Sequence, residues 1–428
     1  MKTIIKFILL CTISTTAFAQ TDVYIRGAGK LIPIALPQLC NESGDPFPGK
    51  EIPRIMARDL DLSGFFEVLS PDAYIESPGK CGGPESVNYS DWSVLGVAGL
   101  ARGTISSTGG KIRTQLYLHE VGKHEVVIGK EYEGGAADVN TIAHKFANEI
   151  MKYYTGEYGP FGTQIAFSTR VARFKELAIM DWDGSNIRQL TNERALAVSP
   201  AWAPSGDTLV YTSYRNRTPD IFTFDLSSKS TKQVTRNTKL EVGTRFGPGG
   251  GSLITSSTDG GTSEILKLDL NGSVLAKLTS SSGGIDVSPR YSPDYAQVAF
   301  CSNRAGGPQI YVMGADGSAV HRISFVSSNY CTSPAWSPKG DKIAFVCRSD
   351  GGFNIFTVNI DGSNPFQLTS GGDNEDPDWS PDGRYLTFAS TQKGNFGLAL
   401  MKADGSNFRQ LTTSRGGDYQ PVWGPMPK

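Results

Sequence analysis

Few residues in this sequence stand at spacings that would support catalysis or metal binding. His119, Glu120 and His124 resemble a zinc-binding motif, but the histidines are five residues apart rather than four. On a strand this spacing puts the two imidazoles on opposite faces, so we predict an exposed hairpin instead of a metal site. Gly110-Lys111 lacks the spacing of a phosphate-binding loop, and no Gly-x-Ser-x-Gly sequence supplies a hydrolase nucleophile. We therefore predict no catalytic residue, no metal and no cofactor.

Aspartates occur instead in a repeated context. The phrase Asp-Gly-Ser, followed after a short gap by Gln-Leu-Thr, occurs six times in clear or looser form, beginning at Asp183, Asp225, Asp269, Asp316, Asp361 and Asp404. Six carboxylates could suggest calcium binding. Asp-Gly between two β-type runs nevertheless favours a hairpin turn, because glycine adopts a positive φ without a Cβ penalty. We interpret these aspartates as turn residues.

A second repeated phrase surrounds an aromatic residue and is clearest as Ser-Pro-Ala-Trp-Ser-Pro-Lys-Gly at 333–340. The aromatic position recurs every 43 to 45 residues, at Trp202, Phe246, Tyr291, Trp336, Trp379 and Trp423. A fixed period near this length, with strand-like runs and turn signals inside it, is typical of a four-stranded β-propeller blade. We expect these aromatic rings to pack between blades rather than to form a ligand cage.

The two ends of the repeat region complement each other. The first unit, near residues 164–191, has no first strand, and the last unit has only a first strand, around Trp423. Together they would form one sixth blade, which removes an open sheet edge. The sequence thus predicts an all-β six-bladed β-propeller preceded by a small α/β domain. We expect a signal peptide at 1–19, the α/β domain with its N-terminal arm at 20–156 and the propeller at 157–428.

The α/β prediction rests on two amphipathic runs and three alternating ones. Residues 48–62 and 137–154 show apolar positions at helical spacing, whereas 99–106, 111–118 and 125–132 read as antiparallel strands.

The first 19 residues carry the features of an export signal. Lys2 and Lys6 precede an apolar core, and Ala17-Phe-Ala19 forms a cleavage box. We therefore expect an exported protein. The formal net charge of −1 gives no electrostatic argument for binding nucleic acid or an anionic membrane.

Five cysteines follow the signal region, and an oxidising compartment permits disulfides. Cys40 and Cys81 are the favoured pair, because both lie in loop-like Gly/Pro-rich segments of the small domain. Cys331 and Cys347, on adjacent predicted strands, could also meet. The odd count leaves at least one thiol free.

The predicted topology brings two sets of loops to one end of the propeller, which we call the mouth. These loops join strand four to the next strand one, and strand two to strand three. The combination of acids, arginines and aromatic residues there suits a protein or peptide partner. The candidate partner-binding residues are Val198, Tyr214, Arg215, Arg217, Glu241, Asp286, Arg304, Tyr330, Arg348, Glu375, Asp418 and Tyr419.

The sequence resembles the TolB family, the periplasmic propeller components of the Tol–Pal envelope system. The resemblance rests on the propeller repeats, on the order of the domains and on the run Asp91-Trp-Ser-Val-Leu-Gly-Val-Ala-Gly-Leu-Ala-Arg-Gly103. The segments around Cys40 and Cys81 depart from the family pattern, and the repeat at Phe246 lacks its Ser-Pro opening. The resemblance implies a non-enzymatic periplasmic scaffold that supports outer-membrane integrity and cell division.

The resemblance also implies two partners. The propeller mouth would bind the lipoprotein Pal, which would hold the protein at the outer membrane. The mature N-terminal arm would bind the C-terminal domain of TolA when it is not docked on the body. The arm residues are Gln20, Thr21, Asp22, Val23, Tyr24, Ile25 and Arg26. We expect a monomer.

Two alternatives from other functional classes stay open at this point. One is a secreted propeller hydrolase with its active site in the central channel. The other is a glycan-binding propeller.

Overall fold

The structure is a computed structural model that describes residues 30–42, 46–77, 79–236, 239–280 and 283–427. The predicted signal peptide and the predicted arm at Gln20–Arg26 therefore lie outside the described residues. No helix within these ranges is both long and apolar enough to cross a membrane.

The N-terminal part combines one mixed sheet with three helices. Its elements are β1 (Ile32–Ala35), β2 (Cys40–Asn41), α1 (Pro46–Ser63), β3 (Phe66–Val68), α2 (Tyr89–Val94), β4 (Gly99–Thr108), β5 (Lys111–Glu120), β6 (Glu125–Gly135) and α3 (Val139–Thr155). The strand order is β3-β1-β4-β5-β6, with β2 paired to β4. β1 runs parallel to β3 and β4, whereas β4, β5 and β6 are antiparallel.

The two long helices follow from their apolar spacing. Ile52, Met56 and Leu60 on α1 are buried against Ile142 and Phe146 of α3 in one hydrophobic cluster with the sheet. Gly64 and Gly156, with φ of 68° and 83°, end α1 and α3 in the left-handed conformation that glycine favours.

Six four-stranded sheets form the propeller. Blade one contains β10 (Ala197–Trp202), β11 (Thr208–Ser213), β12 (Asp220–Asp225) and β13 (Thr231–Gln233). Blade two contains β14 (Leu240–Phe246), β15 (Leu253–Asp259), β16 (Thr262–Leu268) and β17 (Val274–Lys277), and blade three contains β18 (Asp286–Tyr291), β19 (Gln297–Ser302), β20 (Gln309–Gly314) and β21 (His321–Arg322). Blade four contains β22 (Cys331–Trp336), β23 (Lys342–Ser349), β24 (Gly352–Asn359) and β25 (Phe366–Gln367), and blade five contains β26 (Asn374–Trp379), β27 (Tyr385–Ser390), β28 (Gly397–Lys402) and β29 (Arg409–Gln410).

Blade six joins the two ends of the propeller, as predicted. Its order is β30 (Asp418–Trp423), β7 (Gln164–Val171), β8 (Phe174–Asp181) and β9 (Arg188–Gln189). Val422 and Trp423 of the C-terminal strand pair antiparallel with Ala166 and Ile165. The prediction of a six-bladed propeller closed by both chain ends is confirmed.

The last residue of each Gln-Leu-Thr phrase bonds the outer strand to strand three of its own blade. In every blade the hydroxyl accepts a hydrogen bond of 2.8–3.0 Å from a backbone N–H fourteen residues earlier. The donor and acceptor pairs are Leu177 and Thr191, Ile221 and Thr235, Ile265 and Thr279, Ile310 and Ser324, Ile355 and Thr369, and Leu398 and Thr412. Each hydroxyl thus gives a hydrogen-bond partner to a buried N–H of strand three, because the short strand four does not extend far enough to supply one.

The Asp-Gly-Ser phrases are turns, as predicted. In blade three, Asp316 Oδ1 accepts hydrogen bonds from the backbone N–H and hydroxyl of Ser318 at 3.0 and 2.6 Å. Gly317 has φ of 88°, and a Cβ there would lie 2.3 Å from the carbonyl oxygen of Leu278 in blade two. The same contact with the preceding blade recurs for Gly184 and Leu411, Gly272 and Val234, Gly362 and Ile323, and Gly405 and Leu368. The Asp-Gly-Ser and Gln-Leu-Thr sequences therefore recur together because the turn glycine of one blade packs on the Gln-Leu-Thr carbonyl of the preceding blade at five of the six blade boundaries.

The strand-one tryptophans connect neighbouring blades as well. Trp202 Nε1 donates to the carbonyl of Val422 at 3.1 Å, and Trp379 Nε1 donates to the carbonyl of Ala335 at 3.0 Å. These bonds cross from one inner strand to the inner strand before it, which supports the interpretation of the aromatic set as inter-blade packing.

The N-terminal part packs on the end of the propeller that carries the Asp-Gly-Ser turns. The buried carboxylate of Asp59 on α1 interacts with Nδ1 of His144 on α3 at 2.7 Å and accepts a hydrogen bond from Nε1 of Trp182 in blade six at 2.9 Å. The hydroxyl of Tyr385 in blade five donates to the carbonyl of Ser63 at 3.0 Å. Burial alone would lower the pKa of His144, but the hydrogen bond to Asp59 and the negative charges of Asp59, Asp183 and Asp181 together outweigh that effect and raise the pKa.

One sequence-based prediction about this part is wrong. His119 is fully buried rather than on an exposed hairpin, and its Nδ1 lies 3.0 Å from the hydroxyl of Tyr89. The ring of His124 stacks on the same tyrosine. The prediction failed because it did not place the short helix α2 against this face of the sheet, where Tyr89 contacts His119.

The five cysteines within the described residues form two disulfides and leave one free thiol. Cys40 and Cys81 are joined with their Cα atoms 4.9 Å apart, and Cys331 and Cys347 with their Cα atoms 4.1 Å apart. Cys301 is a buried free thiol, and burial raises its pKa to about 11.

Candidate functional site

The mouth is built by a repeated backbone contact between its two sets of loops. Tyr214 donates its N–H to the carbonyl of Leu196 in blade one at 3.0 Å, Arg348 to that of Tyr330 in blade four at 3.0 Å, and Thr391 to that of Asp373 in blade five at 2.9 Å. Both sets of loops therefore meet at one end of the disc, opposite the end covered by the N-terminal part.

An arc of exposed apolar side chains follows the mouth across four consecutive blades. Leu196, Leu240, Ile285 and Tyr330 are 41, 37, 43 and 41% exposed. Each lies at the mouth end of its inner strand, three residues before the residue of that strand with positive φ. We call these four residues the apolar arc. Blades five and six have Asp373 and Gly417 at this position.

Sequence reasoning recorded Tyr330 but missed the other three members of the apolar arc. The signal was available, because aligning the repeats gives Leu, Leu, Ile and Tyr in one column within a loop, where polar residues are expected. Exposed apolar side chains at one end of a disc, next to arginines, are typical of a protein-binding surface.

Four arginines of the predicted contact set lie in the loops beside the apolar arc. Arg304 donates to both carboxylate oxygens of Asp286 at 3.1 Å, and Arg215 donates to Glu193 at 3.2 Å. Arg217 and Arg348 are exposed, and the side chain of neither makes a hydrogen bond or ion pair within the part of the chain that the structure describes. The first pair is held in place, whereas the second can turn toward a partner.

Three acids predicted to contact a partner are in fact buried. Glu241, Asp286 and Asp418 are at most 2% exposed. Asp418 accepts hydrogen bonds from Thr169 and Thr412 at 2.7 and 2.6 Å. We correct the predicted contact set by removing these three, since burying a carboxylate requires partners inside the fold and these residues position the loops.

The remaining predicted residues are half-buried beside the entrance. Val198 and Tyr214 lie in blade one, and Tyr419 lies in blade six with the ammonium group of Lys175 3.9 Å from its ring centre.

Blade five differs from the others by its negative charge. Asp373, Glu375 and Asp376 lie within four residues of each other at the mouth. Burial, followed by repulsion from Asp376 and Asp373, raises the pKa of Glu375 to about 7. The mouth is therefore asymmetric, with apolar and basic side chains on blades one to four and acids on blade five.

Below the entrance lies a narrow axial channel. Its wall contains a bulged residue with positive φ from each inner strand, namely Ser199, Gly243, Ser288, Ser333, Asp376 and Gln420. Blade two lacks the Ser-Pro opening and uses glycine there, which meets the same backbone requirement. The channel cavity is about 80 Å³, well below the roughly 300–1,000 Å³ of ordinary ligand pockets. The rim, rather than the channel, has room for a macromolecular partner.

Charges of opposite sign face each other in this channel. Arg290 of blade three lies 3.4 Å from the carboxylate of Asp378 in blade five, which also accepts a 2.7 Å hydrogen bond from the backbone of Trp423. Over the described ranges, no three His, Cys, Asp or Glu side chains cluster in a way that could hold a metal ion. The absence of a metal and a cofactor stays a prediction.

Comparison with known proteins agrees with this architecture. Residues 151–427 match the family model described as the TolB beta propeller domain, and residues 23–127 match the TolB amino-terminal domain. The chain belongs to the TolB family. The propeller match alone covers more than half of the sequence.

Individual TolB proteins are similar over shorter stretches of sequence and over nearly the whole fold. The Tol-Pal system protein TolB of Syntrophotalea carbinolica is 36% identical over 195 residues, and that of Geobacter metallireducens is 36% identical over 197 residues. These matches cover 45% of this chain and 45–46% of the relatives, so the chain spans about half the length of the curated relatives it matches. The crystal structure of TolB from Acinetobacter baumannii is 26% identical, with a TM-score of 0.81 over 93% of this chain and 97% of that one.

Proposed function

We propose that this protein is a non-enzymatic periplasmic component of the Tol–Pal system and that its mouth binds the lipoprotein Pal. Family membership and the relatives named Tol-Pal system protein TolB support the system. The observation that carries the binding proposal is the apolar arc bordered by Arg217 and Arg348. Leucine, isoleucine and tyrosine beside arginine give the apolar centre and charged border of a protein interface.

The experiment compares two aspartate substitutions in one blade. Ile285→Asp places a charge in the apolar arc, and Val320→Asp places the same charge at the opposite end of blade three, on a side chain that is 36% exposed. Binding of the soluble domain of Pal to the mature protein is measured by isothermal titration calorimetry. We expect Ile285→Asp to weaken binding at least about 10-fold, because the interface would bury an unpaired charge.

The control should bind Pal within about twofold of the unsubstituted protein, as surface changes outside an interface usually have little effect. Equal affinities of the two variants would reject the apolar arc as the Pal site. Failure of the unsubstituted protein to bind Pal would reject the proposed function itself.

We further propose that the arm at residues 20–26 binds the C-terminal domain of TolA and exchanges between docked and free states. The described chain begins at Lys30 beside a crevice of about 470 Å³ between the two parts of the molecule. Its wall includes Phe65, with Lys402 3.9 Å from its ring centre, and Arg384. Such a crevice offers a docking place close to where the arm begins, and two states of similar free energy would couple its occupancy to binding elsewhere.

Removal of residues 20–29 tests the role of the arm. We expect the shortened protein to lose TolA binding in a pull-down while it keeps Pal binding. Equal capture of TolA by both proteins would remove the arm from the account. Under this proposal the protein acts as a monomer, held near the outer membrane through Pal.

A further inference from the structure

The disulfide in blade four occupies a position that is polar in most other blades. This position lies two residues before the residue with positive φ in each inner strand, and it pairs with a residue near the end of strand two. Four other blades place a polar side chain opposite a hydroxyl, as Glu241 and Ser257, Asp286 and Ser302, Asn374 and Ser390, and Asp418 and Thr169. Blade four has the Cys331–Cys347 disulfide instead. We propose that this disulfide is a positioning device that fixes Tyr330 and Arg348 for partner binding, an inference that rests on the proposed function.

The disulfide lies directly next to two exposed residues of the mouth. Tyr330 precedes Cys331, and Arg348 follows Cys347. The N–H of Arg348 donates to the carbonyl of Tyr330 at 3.0 Å, and the hydroxyl of Ser328 lies 2.9 and 3.1 Å from the carbonyls of Arg348 and Tyr330. Both cysteines are fully buried, so the cross-link lies beneath this small bonded cluster.

Two of the mouth arginines, Arg304 and Arg215, are anchored by their own side chains, whereas Arg348 of blade four is not. Arg304 holds Asp286 through two contacts of 3.1 Å, and Arg215 holds Glu193 at 3.2 Å. Within the described residues the Arg348 side chain makes no such bond, and Tyr330 has only a ring contact, 5.8 Å from Phe353. The positions of Tyr330 and Arg348 therefore depend on their backbone, and the disulfide links the two neighbouring residues, Cys331 and Cys347.

Fixing the backbone of these two residues before binding has a direct consequence. Tyrosine and arginine are the side chains that most often dominate protein interfaces, and ordering them on association opposes binding. A backbone held by a covalent bond requires less ordering, which stabilises the complex mainly by slowing its dissociation.

The molecule contains its own control disulfide. Cys40 and Cys81 join β2 to a loop of the N-terminal part, at the other end of the molecule from the mouth. Removing either disulfide lowers stability, because the unfolded chain gains freedom. Only removal of the blade-four disulfide should change partner binding.

The experiment measures the kinetics of Pal binding by surface plasmon resonance with the full mature protein. The variants are Cys331→Ala with Cys347→Ala, and Cys40→Ala with Cys81→Ala. We expect the first pair to dissociate from the soluble domain of Pal about 3- to 10-fold faster with an unchanged association rate. The second pair should keep the rate constants of the unsubstituted protein. If the first pair does not fold, Cys331→Ser with Cys347→Ser carries the same comparison.

A double-mutant cycle separates positioning from general loss of stability. Tyr330→Ala should weaken binding strongly in the unsubstituted protein and at least threefold less in the variant without the blade-four disulfide, because the ring is then no longer held in place. An unchanged dissociation rate, or a Tyr330→Ala effect of the same size in both backgrounds, would overturn the inference. Absence of Pal binding by the unsubstituted protein would instead reject the proposed function, and the inference with it.

Discussion

The two ends of the propeller follow different rules. At the turn end, five of six blades repeat one contact, in which the glycine of a turn packs on a carbonyl of the preceding blade. At the mouth end, equivalent positions hold leucine, isoleucine, tyrosine, aspartate and glycine, and equivalent pairs hold a carboxylate, an amide or alanine opposite a hydroxyl, or a disulfide. Repetition marks what the blades need for packing, and under the proposed function departure from repetition marks what a partner needs for recognition.

The largest effect is expected from removing the strand that closes the ring. Deletion of residues 418–428 removes β30, with its buried Val422 and Trp423, and leaves β7 as an open edge. We expect loss of the single cooperative unfolding transition in calorimetry, because burial of one tryptophan alone contributes about 3–5 kcal/mol. Deletion of residues 426–428 is the control and should unfold like the intact protein. A sharp, late transition in the larger deletion would contradict the closed ring.

The next effect concerns the repeated turn contact. Gly317→Ala combines strain from φ of 88° with a clash against the Leu278 carbonyl, and we expect about 2–4 kcal/mol of lost stability. Gly340→Ala is the control, since Gly340 also has positive φ, of 73°, but no atom lies within 4 Å of an added Cβ. It should lose about 1 kcal/mol. Denaturant unfolding measures both, and equal losses would show that the inter-blade contact adds nothing.

A smaller effect is expected from the hydroxyl that ends the Gln-Leu-Thr phrase. Thr412 accepts the N–H of Leu398 at 2.9 Å and donates to Asp418 at 2.6 Å. Thr412→Val should lower the free energy of unfolding by about 1–3 kcal/mol, because two buried partners lose a hydrogen bond. Thr413→Val, at the adjacent exposed position, should change it by less than about 0.5 kcal/mol. Similar losses for the two variants would count against the role of the hydroxyl.

The smallest effect concerns the acids of blade five and depends on pH. Glu375 has a folded pKa of about 7, above its ordinary value of 4.5. Between these values the folded protein keeps a proton that the unfolded chain has released, so this group makes stability fall as pH rises from about 4.5 to 7. Glu375→Gln should therefore raise the melting temperature at pH 8 and leave it nearly unchanged at pH 4.

The exposed carboxylate of Glu67 provides the control for that prediction. Glu67→Gln should give no such pH-dependent difference from the unsubstituted protein. If Glu375→Gln shifts the melting temperature equally at both pH values, the burial and crowding of Glu375 do not govern its titration.

The sequence predicts the fold well, because repetition exposes the requirements of the backbone. Three features are together sufficient to predict six blades and the closure of the ring. They are the period of the aromatic residues, the Asp-Gly turns and the incomplete units at both ends. The structure adds the reason that the Asp-Gly-Ser and Gln-Leu-Thr sequences recur together, which is the contact from Gly317 to Leu278 and its equivalents. That contact joins neighbouring blades, so the sequence of a single repeat does not reveal it.

The site was predicted less completely. Loop position alone could not separate Arg348, which is exposed, from Asp286 and Asp418, which are buried and hydrogen-bonded. Whether a charged group faces water depends on the adjacent blade, which sequence periodicity does not describe. The sequence analysis does not identify the apolar arc, because the exposure of Leu196 and Ile285 depends on their place at the edge of the disc.

The most direct test measures melting temperature and Pal affinity together for two variants of blade three. Ile285→Asp should lose at least about 10-fold in affinity and keep its melting temperature, whereas Gly317→Ala should melt several degrees lower and keep its affinity where it is folded. This crossed result would establish that the mouth end recognises and the turn end stabilises. If both variants lose affinity and stability in the same proportion, the two ends are not distinct in function and the account is wrong.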